Sequence, residues 1–340
     1  MPPKEIRRAN LSSVNAIVDF CKTPVTRVDA CCTGKCFSFS ATRPVLMPRA
    51  LSERFSDLEP ERRGFPDKVV AMNQKAKAEL FRSLHAGPEI LVLPNAWDAI
   101  SARIVEAEGF PAVATSSAGV ASVLGYPDGQ QIPRSEMLFL IGKIARTVLV
   151  PVTADVEAGY DDPVNTALDV ISAGAVGMNL EDMANHELIP LEEQLVTIRA
   201  IRDASDSEGV PLVLNARTDI FLAQHGDPAT RFDRAVERLN AFHDAGADCL
   251  FAPGITDAGT IGRLVAAVKG PLNILVMAGA PSIPELKRLG VRRVSLGSGT
   301  SRVSLGALQR FARQIRDEGT FTPLATDTVS YQDVQKLLTR

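Results

Sequence analysis

From residue 88 onward, short apolar runs alternate with longer stretches in which apolar positions recur every three or four residues. The runs occupy 90–93, 112–115, 148–153, 176–180, 212–215, 249–252, 273–276 and 294–296. They read as continuous apolar segments with no polar alternation, which predicts strands buried on both faces, hence a parallel sheet with helices outside. Helical periodicity fills the gaps at about 97–108, 134–146, 162–173, 191–206, 228–245, 256–268, 282–289 and 299–317. Start signals agree at Asp162-Pro163, Asp227-Pro228 and Ser282-Ile283-Pro284, and stop signals at Gly109, Gly174, Gly246 and Gly290. Eight β/α units in about 230 residues predict a (β/α)8 TIM barrel. A doubly wound open sheet would want a G-x-G-x-x-G after its first strand, and here that strand ends Pro94-Asn95-Ala96-Trp97.

Residues 1–71 show neither period and scatter Pro2, Pro3, Pro24, Pro44, Pro48, Pro60 and Pro66 among basic and hydroxyl residues. They are read as a disordered or mis-assigned extension, in preference to an organelle-targeting segment. Asn73 opens a helical stretch just after Met72, so the catalytic barrel is expected over 72–320, with a C-terminal extension at 321–340.

Composition narrows the class. The 340-residue chain is 45% hydrophobic and 23% charged, with a net charge of −3, so it carries no electrostatic footprint for nucleic acid. No apolar run approaches the roughly 20 residues needed to span a bilayer. Five cysteines, four of them at Cys21, Cys31, Cys32 and Cys36, give no disulfide framework and point to a reducing, cytoplasmic setting. Their spacing is a poor match to a zinc site.

The ends of the apolar runs carry the chemistry, because barrel enzymes place their sites at the C-terminal ends of the strands. The third run leads into Asp155 and Glu157, two positions apart and therefore facing one way in an extended chain. The fourth leads into Glu181 and Asp182, the fifth into Arg217, and the second into Ser116, Ser117 and Ala118 and then a loop with Asp128. A lone strand-end acid is commonly a cap or turn residue, and Asp182 is read that way. Asp155, Glu157 and Glu181 together, with no His or Cys among them, suit Mg²⁺ or Mn²⁺. Arg217 would hold a substrate carboxylate or phosphonate, and main-chain N–H groups at Ser116–Ala118 a second anionic end. The implied ligand is a small dianion such as a 2-oxo acid or its enolate.

The segments "TSSAGVASVLGYPD", "ADVEAGY", "NLEDM" and "NARTD" resemble, in order, the strand-end motifs of the isocitrate lyase / phosphoenolpyruvate mutase superfamily, over about residues 73–318. The resemblance implies a (β/α)8 barrel, often with its eighth helix swapped between subunits, in a homodimer or homotetramer. It implies metal-holding carboxylates, mostly through water, at Asp155, Glu157 and Glu181, a neighbouring acid at Asp128, and substrate contacts at Arg217, Ser116, Ser117 and Ala118. It also implies C–C or C–P bond chemistry beside a 2-oxo group. The lyases' Lys-(Lys/Arg)-Cys-Gly-His loop is absent, since the region reads "EDMANHELIPLEEQ", and Pro253 stands where phosphonomutases carry His. His186 is the candidate acid or base in this loop, Trp97 and Tyr126 are candidate pocket walls, and Cys249 is read as core. The expected activity is a Mg²⁺-dependent C–C lyase or decarboxylase acting on a small 2-oxo or 2-hydroxy dicarboxylate. The alternatives are a C–P bond enzyme and a catalytically silent barrel with a binding role.

Overall fold

A computed structural model describes residues 72–339. The proposed extension at 1–71 and its four cysteines lie outside the described residues. Within them the chain runs α1 (Gln74–Ala86), β1 (Leu91–Leu93), β2 (Asn95–Ala96), α2 (Ala99–Ala107), β3 (Val113–Thr115), α3 (Ser117–Val123), α4 (Arg134–Thr147), β4 (Val152–Asp155), α5 (Pro163–Ser172), β5 (Gly177–Glu181), β6 (Met183–Ala184) and β7 (Glu187–Leu188). It continues through α6 (Leu191–Ser207), β8 (Val213–Arg217), α7 (Arg231–Asp244), β9 (Cys249–Phe251), α8 (Ala258–Ala267), β10 (Leu272–Leu275), α9 (Ile283–Leu289), β11 (Arg293–Ser295), α10 (Gly299–Glu318), α11 (Pro323–Thr326) and α12 (Tyr331–Leu338).

Nine parallel segments form one sheet in the order β1-β11-β10-β9-β8-β5-β4-β3-β2. β1 and β2 are one strand broken at Pro94, which has no N–H to give a ladder. The first half pairs with β11 and the second with β3, so eight strand positions close into the expected barrel. Seven of the eight predicted strands lie within one residue of their observed starts. The run at 148–153 starts late, at Val152, for a local reason. Glu106 on α2 takes the Leu149 and Val150 N–H groups at 2.5 and 3.1 Å, and Pro151 has none to offer. The segment expected as a C-terminal extension contains two further helices, and α12 packs on α2, where Arg103 Nε donates to the Leu337 carbonyl at 2.5 Å.

Outward strand residues such as Met178, Leu180, Leu214 and Val294 are buried under the helices. The inner face is polar. Asn215 Nδ2 donates to Asn179 Oδ1 at 2.7 Å, and Asn273 Nδ2 to Ser295 Oγ at 3.0 Å. Arg293 is fully buried on this face, 5.9 Å from the Phe81 ring centroid, and reaches Asn179 Oδ1 at 3.4 Å.

Helix α1 stops the N-terminal mouth of the barrel. Asn73 caps it, accepting from Ala76 N. Gln74 Nε2 donates to the Ile171 and Ala175 carbonyls, Arg82 pairs with Asp248 at 2.9 Å, and Phe81 fills the space beside Gly177, where an added Cβ would meet its ring at 2.8 Å. His85 sets Nδ1 2.8 Å from the Phe81 carbonyl and Nε2 3.5 Å from Arg293 Nη1. Burial, and then the Arg293 charge, push the imidazole down to about 3, so it is neutral. That geometry requires the Nδ1–H tautomer, with Nε2 accepting.

Phe81→Ala removes the largest apolar group of the stopper and is expected to cost about 3–5 kcal/mol of stability. Urea unfolding followed by circular dichroism measures it.

Candidate active site

β4 and β5 pair in register through Asp155↔Asn179, and the ladder runs on as Glu181 N–H donates to the Glu157 carbonyl at 2.9 Å. β5 and β8 pair as far as Glu181↔Arg217. These registers bring Asp155, Glu157, Glu181 and Arg217 to one end of three adjacent strands.

Asp155 is buried and held from three sides. Its Oδ2 accepts from Ser117 N and Oγ at 3.0 and 3.1 Å, and its Oδ1 from Asn179 Nδ2 at 3.1 Å. Glu157 takes a left-handed backbone, φ 55°, and accepts the Gln130 N–H at 3.0 Å. Gly159 follows at φ 89°, in a turn closed by its N–H to the Val156 carbonyl at 2.9 Å. A Cβ there would come within 2.7 Å of Pro163, so only glycine fits. Tyr160, at φ 60°, lines the cavity from the same turn and leaves its hydroxyl buried without a partner. A bulky residue in this backbone region is strained, and such strain collects at functional sites.

Arg217 Nη1 pairs with Glu181 Oε1 at 2.5 Å, while Nε and Nη2 reach Asp219 Oδ1 at 3.0 and 2.6 Å. Of its five N–H donors, these contacts use three. Asp128 sits on the exposed loop after α3, and its carboxyl is raised by desolvation and then by Asp155, against the pull of Gly129, Arg217 and Ser117. Glu181 is raised well above its usual range by burial, with Arg217 opposing. Burial pushes Glu157 up to about 7, with Asp155 and Asp128 adding to it and the Gln130 N–H and Arg217 opposing.

Above the strands lies a cavity of about 830 Å³, walled by Gln130, Glu157, Tyr160, Glu181, His186 and Arg217 among others. His186 enters it from the β6–β7 hairpin, whose two-residue turn, Asn185-His186, has φ 51° and 67°. Ser116 caps α3, and the Ser116 N–H goes to the Ala96 carbonyl. The Ser117 N–H goes to Asp155, so the segment expected to grip an anion is partly spent on holding an acid. Trp97 and Tyr126 are not among the cavity walls. Trp97 packs on Gly119, where an added Cβ would lie 2.9 Å from its own, and the Tyr126 hydroxyl donates to Glu136 at 3.1 Å. Cys249 is buried, its thiol pushed up to about 12 by desolvation, in keeping with a core role.

Two supporting residues were assigned no role from sequence. Asp219 lies two positions beyond Arg217, the same spacing that marked Asp155 and Glu157. Asn179 stands two positions before Glu181 on the inner face. Asp182, read from the sequence as a cap or turn residue, is fully buried and accepts from Asp219 N and Arg238 Nε.

The donor set suits a hydrated divalent cation. It is all oxygen, and its carboxyls are raised by burial and by one another, a penalty that a cation removes. Among the described residues, no three His, Cys, Asp or Glu side chains converge closely enough to hold an ion directly. Holding a divalent cation through water therefore fits these residues better than direct ligation. Without a cation, folding raises Glu157 from 4.5 to about 7, so the folded chain binds its proton more tightly than the unfolded chain does. Stability of the metal-free protein should then fall as pH rises across that window, by on the order of 1–3 kcal/mol. Glu157→Gln should flatten the fall, measured by urea unfolding between pH 5 and 8.

Residues 81–316 match the family described as phosphoenolpyruvate phosphomutase. An uncharacterized protein of Mycobacterium tuberculosis H37Rv is 35% identical over 239 residues, covering 70% of this chain and 89% of its own. An oxaloacetate decarboxylase of Bradyrhizobium sp. BTAi1 is 31% identical over 237 residues, covering 66% and 78%. The structure of an oxaloacetate acetylhydrolase in complex with the product oxalate superposes with a TM-score of 0.69 at 26% identity, covering 78% of this chain and 94% of that one. With the strand-end acids, the arginine and the closed barrel in place, the chain belongs to the phosphoenolpyruvate phosphomutase family, within the isocitrate lyase / PEP mutase superfamily.

Proposed function

We propose that this protein is a divalent-metal-dependent enzyme, with Mg²⁺ or Mn²⁺, that cleaves a C–C bond of a small 2-oxo or 2-hydroxy dicarboxylate through an enolate. The observation that carries the reading is the all-oxygen acid cluster set against one guanidinium on three adjacent strand ends. The naming of relatives as oxaloacetate decarboxylase, 2-methylisocitrate lyase and 2,3-dimethylmalate lyase supports the bond class.

A divalent cation held here would supply positive charge beside the substrate's oxo oxygen. Asp155, Glu157 and Glu181 would hold it, and Ser117, Asn179 and the Gln130 N–H keep the first two carboxylates aimed. The two N–H donors that Arg217 does not spend on Glu181 and Asp219 bind the substrate carboxylate. Ala118 N–H, in the first turn of α3, is left for a second substrate oxygen after its two neighbours are used. His186 delivers a proton to the enolate carbon from the hairpin, and Asp128 lies close enough to Asp155 to be raised by its charge. The exposure of Val303, Leu305 and Leu308 on α10, at 73, 54 and 61%, supports a homo-oligomer that covers this helix.

In a Mg²⁺-dependent screen of oxaloacetate, 2-methylisocitrate, isocitrate, 2,3-dimethylmalate and phosphonopyruvate, a carbon acid should be cleaved. With oxaloacetate the product is pyruvate. Phosphate release from phosphonopyruvate alone would establish the C–P reading instead. Asp155→Asn should weaken Mg²⁺ binding about 10–100-fold, read by calorimetry. Leu308→Glu should lower the mass seen by sedimentation, with the cavity residues intact.

A further inference from the structure

The hairpin that carries His186 into the cavity is rooted outside it. Its first leg leaves Asp182, and its second ends at Ile189, whose N–H donates to the Asp182 carbonyl at 2.9 Å. One guanidinium grips both legs. Arg238, on the outer helix α7, places Nε 2.6 Å from Asp182 Oδ2 and Nη2 2.8 Å from the Ile189 carbonyl. Its Cζ lies over the Phe242 ring of its own helix, 5.5 Å from the centroid, a cation–π contact.

The same carboxylate has a second duty. Where the β5–β8 ladder stops at Glu181↔Arg217, Asp182 Oδ1 takes over and accepts the Asp219 N–H at 2.9 Å. Asp219 then holds Arg217 through Nε and Nη2. A continuous set of short, buried, charge-assisted bonds therefore runs from α7 to Asp182, to Asp219 and to Arg217, with a branch to the hairpin root. Neither Asp182 nor Arg238 lines the cavity. A fully buried carboxylate is costly without its cation, so the chain breaks as a unit when Arg238 is lost.

We propose that Arg238 is a positioning residue that, through Asp182, ties the root of the His186 hairpin to the orientation of the substrate arginine Arg217. The hairpin root and the Arg217 fork then share one fixed point. Release of one loosens the other, while two of the three metal carboxylates, Asp155 and Glu157, keep their own donors on Ser117, Asn179 and Gln130, and the third, Glu181, stays paired with Arg217. The substrate side of this inference rests on the reading of Arg217 as the carboxylate-binding residue, and the coupling between hairpin and Asp219 does not.

The test uses the full chain as wild type, R238Q and R238K, loaded with Mg²⁺. Oxalate serves as the binding probe, and the preferred substrate of the screen as the kinetic one. R238Q should weaken oxalate and raise KM by roughly 10–100-fold, with a smaller change in kcat. R238K should recover part of the loss, because an ammonium can pair with Asp182 but cannot fork to Ile189. Amide hydrogen exchange should quicken together at Ile189 and Asp219 in R238Q. A lower Tm with KM, oxalate binding and the exchange at both amides unchanged would overturn the proposal. Failure of wild type to bind oxalate would count against the functional reading alone, and the paired exchange rates would still decide the coupling. If R238Q does not fold, D182N, which keeps an oxygen for the Asp219 N–H but removes the charge that Arg238 grips, gives the same readouts.

Discussion

Carboxylates crowded at one end of a barrel repel each other, and the structure around this mouth answers that repulsion. Asp128, Asp155, Glu157, Glu181 and Asp219 share a small volume with one adjacent guanidinium. Four of these acids are each fixed by a donor from the surrounding fold. Asp155 has a serine and an asparagine, Glu157 a main-chain N–H, and Glu181 and Asp219 the arms of Arg217. Fixed donors hold the groups in place but do not neutralise them, and the carboxyls of Glu157 and Glu181 remain raised. The tight turn that puts Glu157 and Tyr160 in the left-handed region serves the same end, since it keeps a reluctant charge at the mouth instead of letting it turn to solvent.

The same constraint orders the layers below. Asn179 must turn its NH₂ toward Asp155, and its oxygen is held the other way by Asn215 and Arg293. A polar interior follows, where many barrels pack aliphatic side chains. The buried guanidinium of Arg293 is tolerable because a neutral His85, an aromatic ring and an amide oxygen surround it. Relatives named for decarboxylation, acetyl hydrolysis and lysis share the fold, so their differences belong in the loops above it. Here the loop after β5 is reduced to a hairpin with a two-residue turn, tied down at its root.

Much of this was legible in the sequence, because two strong periodicities carried it. The strand and helix order, the barrel closure and the strand-end acids followed from apolar runs and from side-chain alternation at i and i+2. Asp219 was legible by the same rule. Other parts were not, because they depend on partners far along the chain. Nothing near Arg293 shows that its charge lies inside the barrel against His85, 208 positions away. The late start of β4 depends on a glutamate of α2, and the hairpin on two non-glycine residues adopting positive φ. Trp97 and Tyr126 lie close in sequence to the site but turn to α3 and Glu136, since a large ring can pack wherever neighbours leave room.

The stopper helix α1 has a consequence for the order of assembly. It is the first described element to leave the ribosome, yet its partners are Ile171, Ala175, Pro211, Asp248 and Arg293. None of these surfaces exists until most of the chain has been synthesised, and the strand that follows α1 must pair across some 200 residues with β11. Such long-range closure is slow. The apolar face of α1, with Ala78 and Phe81, therefore waits uncovered through synthesis. It can seat only after the strands that bury it are in place.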